Sequence, residues 1–282
     1  MMKFRVKFKI TRSTLGYTAF AVAALIVFAY LRFPGDMFAR YLAAVATDLN
    51  REAILMVDDV KPSIPPALTL NHATLGFRDN LQATFQADTV TVGPAWLPLF
   101  KGRSAAAFDA RTYGGIVNAQ ALTQRFLAFD GPVDWNVNFD GIDIGKIGYL
   151  KERLGRPVTG NLSGVLIFSG MLESLQNGTG TFDFTLVNGG YSFRESIMGM
   201  DRLDFRKVEA AVGIRNGVLT IKRLRLTGDK VNGALTGDIV LNAADIKSSQ
   251  ISLNFTFELA GQNRKLSLVM TGALANPSIK FM

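Results

Sequence analysis

The sequence predicts a mainly β protein carried behind two N-terminal helices. Three observations predict it: an uncharged apolar run near the N-terminus preceded by basic but no acidic residues, apolar–polar alternation from Ile54 onward, and turn residues that punctuate this alternation at short intervals. Helices repeat their apolar residues three and four apart and strands two apart, so the change of period marks the change of element.

Residues 1–13 form a basic tail. Lys3, Arg5, Lys7, Lys9 and Arg12 precede the apolar run, and no acid occurs before Asp36. The chain has 31 Lys and Arg against 23 Asp and Glu; taking those five away leaves 26 basic residues against 23 acidic ones. The surplus therefore reads as a topology signal, and nucleic acid is not an expected partner.

Thr14 to Leu31 carries no charge. Its eighteen residues give about 27 Å of helix. With Phe33 it predicts a membrane anchor over residues 14–33, with the N-terminus cytoplasmic and the bulk of the chain on the far side of the membrane. The alternatives are a cleaved signal peptide cut near Val27-Phe28-Ala29 and a buried helix of a soluble protein. Pro34-Gly35-Asp36 breaks the run. Phe38, Tyr41, Leu42, Val45 and Leu49 then recur at helical spacing, predicting an amphipathic helix from about Met37 to Arg51 within a juxtamembrane segment 34–52. It would pack on the following domain or lie on the lipid surface.

Residues 53–282 read as one β domain. Trp135, Val137 and Phe139 alternate with Asn136, Asn138 and Asp140; Phe182 and Phe184 alternate with Thr181, Asp183 and Thr185. Ile251, Leu253, Phe255 and Phe257 alternate with Ser252, Asn254, Thr256 and Glu258. Each pattern predicts a strand with one dry and one wet face. Asn216-Gly217 between two apolar runs predicts a hairpin. Further turns are expected at Asn188-Gly189-Gly190, Asp229 to Gly233 and Gly261-Gln262-Asn263. Such close turns favour antiparallel meanders. Helical texture is confined to Ala119–Phe129 and Ile147–Arg153. The motif G-x-L-[ST]-G recurs at Gly160–Gly164, expected to precede the strand Val165–Phe168, and at Gly233–Gly237, expected to precede or join the strand Asp238–Leu241, and a related Thr271-Gly272-Ala273-Leu274 follows.

The chemistry inventory is short. With no Cys and one His there is no disulfide, thiol nucleophile or multi-histidine metal site. His72 reads as a turn or strand-end residue. Gly141 to Lys146 places three residues between its glycines where a phosphate-binding loop has four, and Ile147 stands at the Ser/Thr position. The acid pairs Asp58-Asp59 and Asp201/Asp204 read as solvated turns. Arg223 and Arg225 would share a strand face, suited to an anionic headgroup or to a charged outer or edge strand. The N-x-[ST] sites at Asn161, Asn177 and Asn254 read as incidental. No catalytic, cofactor-binding or metal-ligating residue is expected, and the chain is read as a non-enzyme.

Twenty-one Phe residues raise a packing question. Each fully buried Phe is worth about 1.5–3 kcal/mol, so an apolar sheet face must meet a second sheet, its own sheet folded over, or lipid. A closed sandwich and an open groove for acyl chains use the same alternation. If the sheet is a groove, Phe182, Phe184, Ile251, Leu253, Phe255 and Phe257 are its candidate lining, and about 12–15 strands at ~4.8 Å would make it roughly 60–70 Å long.

Several features then fall together: the basic tail and single apolar run, the helix ending in Tyr41-Leu42 to Asn50, the tract Val60-Lys61-Pro62-Ser63-Ile64-Pro65-Pro66-Ala67-Leu68, and strands carrying G-x-L-[ST]-G. The tract Leu268 to Ile279 contains Thr271-Gly272-Ala273-Leu274-Ala275-Asn276-Pro277. Together these resemble the N protein of bacterial type II secretion systems (GspN), and the last tract also resembles the AsmA-like proteins of the bacterial envelope. The resemblance implies an inner-membrane anchor, a periplasmic β domain and other secretion-system envelope proteins as partners. Its AsmA-like side implies a lengthwise-folded, groove-like sheet that holds phospholipid acyl chains. Neither family supplies catalytic residues.

Overall fold

The computed structural model describes residues 12–49, 51–63, 66–78, 80–95, 98, 104–123, 131–171, 174–197, 200–242, 248–259 and 265–281. Helix α1 spans Arg12–Leu31 and α2 spans Gly35–Leu49, separated by the break at Pro34. Leu15, Tyr17, Phe20, Leu25, Phe28 and Leu31 of α1 are 65–77% exposed. Among the described residues no helix is long and apolar enough to cross a membrane. The anchor expected over residues 14–33 has no support from that finding.

Among the described residues fourteen strands follow: β1 Ala53–Ser63, β2 Ala67–Phe77, β3 Asn80–Pro94, β4 Ser104–Thr112, β5 Gly115–Thr123, β6 Val133–Asp143 and β7 Val158–Met171. The second half is β8 Ser174–Ile197, β9 Met200–Arg215, β10 Val218–Thr227, β11 Val231–Val240, β12 Gln250–Leu259, β13 Lys265–Ala273 and β14 Asn276–Phe281. Each strand pairs antiparallel with the next, giving one open sheet in sequence order. Short polar turns make this order the inexpensive one, since each strand meets its neighbour without a crossover. At the β9–β10 hairpin, Asn216 and Gly217 have φ of 48° and 78° and Arg215 faces Val218. That is the two-residue turn whose twist matches the strands. Tyr113-Gly114 makes a second such turn between β4 and β5, with φ of 50° and 81°.

Two helices guard the early strands. Helix α2 lies along β1. Thr47 Oγ1 shares its proton between the Ala43 and Ala53 carbonyls at 3.0 and 3.3 Å, and a Cβ at Gly35 would come within 2.5 Å of Val60 O. Glycine is what lets the helix sit this close. Helix α3, Gly148–Leu154, connects β6 to β7 and packs back on β3. Its Tyr149 ring lies 4.8 Å from Phe85 and 5.6 Å from Phe77.

Several expectations need correction. Ala119–Thr123 is strand, part of β5, while 124–130 lie outside the described residues. The helix-forming Ala and Gln there are overridden by pairing on both sides. Asn188-Gly189-Gly190 is no turn but the middle of β8, where Asn188 at φ 52° kinks a strand of 24 residues. Gly160–Gly164 and Gly233–Gly237 lie inside β7 and β11. His72 sits within β2 at φ 50°, exposed, its Nδ1 3.6 Å from Asp58. Asp58-Asp59 and Asp201/Asp204 are strand residues of β1 and β9. The expected turn at Gly261–Asn263 lies outside the described residues.

Candidate functional site: an apolar face with two continuous rails

Residues paired across antiparallel strands project to the same side of a sheet, so the register traces each face directly. From Val60 the paired positions run through Leu70, Val90, Ala110 and Val117 to Phe139. They continue through Gly164, Phe184, Ala210 and Leu224. They end through Leu235, Phe255 and Leu268 at Phe281. This line crosses all fourteen strands without one polar residue.

A second line lies two residues over, about 7 Å away. It starts at Pro62 and passes Leu68, Val92, Phe108, Ala119 and Val137. It then takes Leu166, Phe182, Val212 and Ile221. Gly237, Leu253 and Met270 carry it to Ile279. These two rails run the width of the sheet, roughly 60 Å at ~4.8 Å per strand. The positions between them belong to the other face and begin Lys61, Thr69, Thr91, Asp109, Asn118 and Asn138.

All six residues singled out in the sequence fall on the apolar face. Phe184 and Phe255 lie on the first rail, Phe182 and Leu253 on the second, and Ile251 and Phe257 flank them on β12. Phe182, Phe184 and Phe255 are half-buried, whereas Ile251, Leu253 and Phe257 are under 10% exposed. Phe139 of β6 reaches over β7 to lie 5.6 Å from Phe182 on β8, and Phe184, two residues along the same strand, lies 4.8 Å from it. Glycines make room for them. A Cβ at Gly189 would meet the Phe205 ring at 2.6 Å, one at Gly178 would overlap the Phe168 ring, and one at Gly233 would sit 3.2 Å from Phe255. Phe205, Val208 and Leu226 form a buried cluster on the same face.

The total accessible surface is 19485 Å². A compact globule of this mass would expose about 12,000 Å².

The polar face is a lattice of short contacts: Thr69 to Thr91 at 3.3 Å, Ser163 to Asp140 at 2.8 Å, Thr220 to Asp238 at 2.7 Å. Arg223 and Arg225 share this face on β10, a central strand rather than an edge. Lys207 ion-pairs Glu209 at 2.8 Å and, with the two arginines beyond it, holds that carboxyl below its ordinary value. Burial pushes the Tyr113 phenol up, its hydroxyl accepting from Gln86 N at 2.7 Å. Among the described residues no group of three or more His, Asp or Glu could hold a metal ion.

A feature that sequence reasoning missed is a cavity of about 620 Å³ where α1, α2 and β1 meet, lined by Tyr30, Phe33, Asp36, Arg40, Asp59 and Lys61 among others. Its polar residues are scattered over thirty positions of sequence, and no motif marks them. Lys61 lies 2.6 Å from Asp59, which depresses the carboxyl and raises the amine. No protein family, curated protein or solved structure matches this chain.

Proposed function

We propose that this protein is a membrane-anchored, non-enzymatic lipid-handling protein of the bacterial envelope, its sheet folded lengthwise into a trough that shelters acyl chains. The observation that carries the reading is the pair of apolar rails spanning every strand. A face of this extent, wet, would cost about 25 cal/mol for each Å² of apolar surface. Among the described residues no second sheet covers it, yet Ile251 and Phe257 are nearly dry. Curling of the sheet about its apolar side accounts for both facts.

Helix α1 supports the membrane half of the reading. Its large apolar side chains lie exposed, and such a helix is at rest only against lipid or a partner. The basic tail keeps the N-terminus cytoplasmic and leaves the sheet in the periplasm. The test is native mass spectrometry of protein released from membranes without detergent. Co-purifying phospholipid is the expected result; lipid-free protein with an intact sheet overturns the reading.

A second reading, a component of a type II protein secretion system, is favoured by one observation besides the resemblance. No described strand pairs with the outer edge of β14, where Ile279 and Phe281 are 52% and 71% exposed. An open edge can accept a partner's strand. A photocrosslinker at Ile279 should then capture secretion-system envelope proteins, and their absence from the crosslinks removes that reading.

A further inference from the structure

We propose that the cavity where α1, α2 and β1 meet is the seat of a zwitterionic phospholipid headgroup, at the loading end of the two rails. This rests on the lipid-handling reading.

Position selects the ligand first. Tyr30, Leu31 and Phe33 close the cavity from the end of α1, and Phe33 stacks on Phe38 at 4.7 Å. Aromatic rings beside the end of an apolar helix belong at headgroup level. Continuity selects it next. Val60 and Pro62 line the cavity, and they are the first residues of the two rails. About 620 Å³ holds a polar head but not two acyl chains, which must leave the cavity onto the sheet.

Charge narrows the class. The lining holds two cations, Arg40 and Lys61, and two carboxylates, Asp36 and Asp59. Their formal charges cancel, which disfavours a headgroup of net charge. Lys61 and Asp59 satisfy each other at 2.6 Å. Arg40 donates Nε to the Asp36 carbonyl oxygen at 3.3 Å, and neither its guanidinium nor the Asp36 carboxylate has an ion-pair partner among the described residues. A guanidinium is suited to phosphate and a carboxylate to ammonium. Phosphatidylethanolamine presents both groups one short linker apart.

The experiment uses the full chain reconstituted in vesicles containing phosphatidylethanolamine with photoreactive acyl chains. Diphenylhexatriene, which has no headgroup, serves as a second probe. Exposed Arg40 can be replaced without disturbing a core. Arg40→Gln should lower photolabelling roughly tenfold, the scale of one lost charge-assisted contact, and leave diphenylhexatriene uptake unchanged. Unchanged labelling in Arg40→Gln overturns the headgroup seat and leaves the lipid reading standing. Failure of the wild-type protein to take up diphenylhexatriene sinks the lipid reading itself. Equal labelling by photoreactive phosphatidylglycerol overturns the zwitterionic assignment, and displacement of the label by millimolar inorganic phosphate would make the seat one for a free anion.

Discussion

Val90 and Val92 place one residue of β3 on each rail, between β2 and β4, and both are half-buried. Replacing both with Asp puts two carboxylates across the path between the α1–α2 end and the rest of the face. A lipid drawn from a bilayer leaves hydrocarbon, so it moves onto the sheet at no great cost only where the sheet is as dry as the membrane. One strand spacing of ~4.8 Å shelters roughly four methylenes of each chain at ~0.8 kcal/mol apiece, so a wet gap costs about 3 kcal/mol per chain. That is about a hundredfold in occupancy beyond β3 for each chain. Trp135 reports the result from β6. It projects from the apolar face opposite Ala121 and Phe168 and stacks on Phe108 at 6.0 Å. With Trp96→Phe as background, brominated phospholipid should quench Trp135 in the parent and not in Val90→Asp/Val92→Asp. Thr89→Asp/Thr91→Asp puts the same charges on the opposite face of the same strand and should keep the quenching. Full quenching in the Val90/Val92 variant, with unchanged circular dichroism, would refute the rails as an acyl path.

Three further outcomes test the fold beneath that path. In urea denaturation Ile251→Ala should cost about 2–5 kcal/mol and Phe255→Ala less despite its larger ring, because Ile251 is 4% exposed and Phe255 half-exposed; the reverse order would place the dry part of the face elsewhere. Gly189→Ala should destabilise by about 1–3 kcal/mol through its clash with the Thr159 carbonyl oxygen and the Phe205 ring, and Phe205→Leu in the same chain should recover only the ring's part of the loss; strict additivity would show that the ring does not lie over the glycine. Asp59 is held below its ordinary value of 3.8 by Lys61, so its folded form is favoured fully above that value and loses the benefit as pH falls through the lowered one. Carboxyl NMR should place Asp59 below 3.8, Lys61→Met should move it up, and no change on removing Lys61 would break the assignment.

Strand identity and side-chain facing were legible because a half-dry strand must alternate. Asn136, Asn138 and Asp140 against Trp135, Val137 and Phe139 are unambiguous, and the structure puts the two sets on opposite faces. What failed were places where one local signal had two meanings. Asn188-Gly189-Gly190 has turn chemistry, but the same tolerance for positive φ serves a kink inside a long strand. Ala119 to Thr123 has helical composition, yet its small side chains suit a rail position between Phe108 and Val137. The cavity by α2 was illegible because Asp36, Arg40, Asp59 and Lys61 are brought together only by docking of α2 against β1. Helix propensity and strand alternation are local quantities; that docking is not.

The two ends of the sheet are built differently, and the difference bears on how an open sheet stays specific. Unpaired strand edges invite aggregation unless something blocks them. At β1 the block is α2, whose Thr47 takes a share of the Ala53 carbonyl and whose Gly35 closes on Val60. The β14 edge has only Pro277, which cannot donate to a further ladder, and the exposed Lys280. The rails follow the same asymmetry, from Val60 at 2% exposure to Phe281 at 71%. On the lipid-handling reading, a chain held on the rails is best sheltered where the cavity and α2 meet the first strand and least sheltered at β14. Release is then favoured at β14, and a partner strand added to that edge would extend both rails by one position while burying Ile279 and Phe281. The lipid and secretion readings thus place their demands on different ends of the same sheet, and blocking the β14 edge should leave loading at β1 intact.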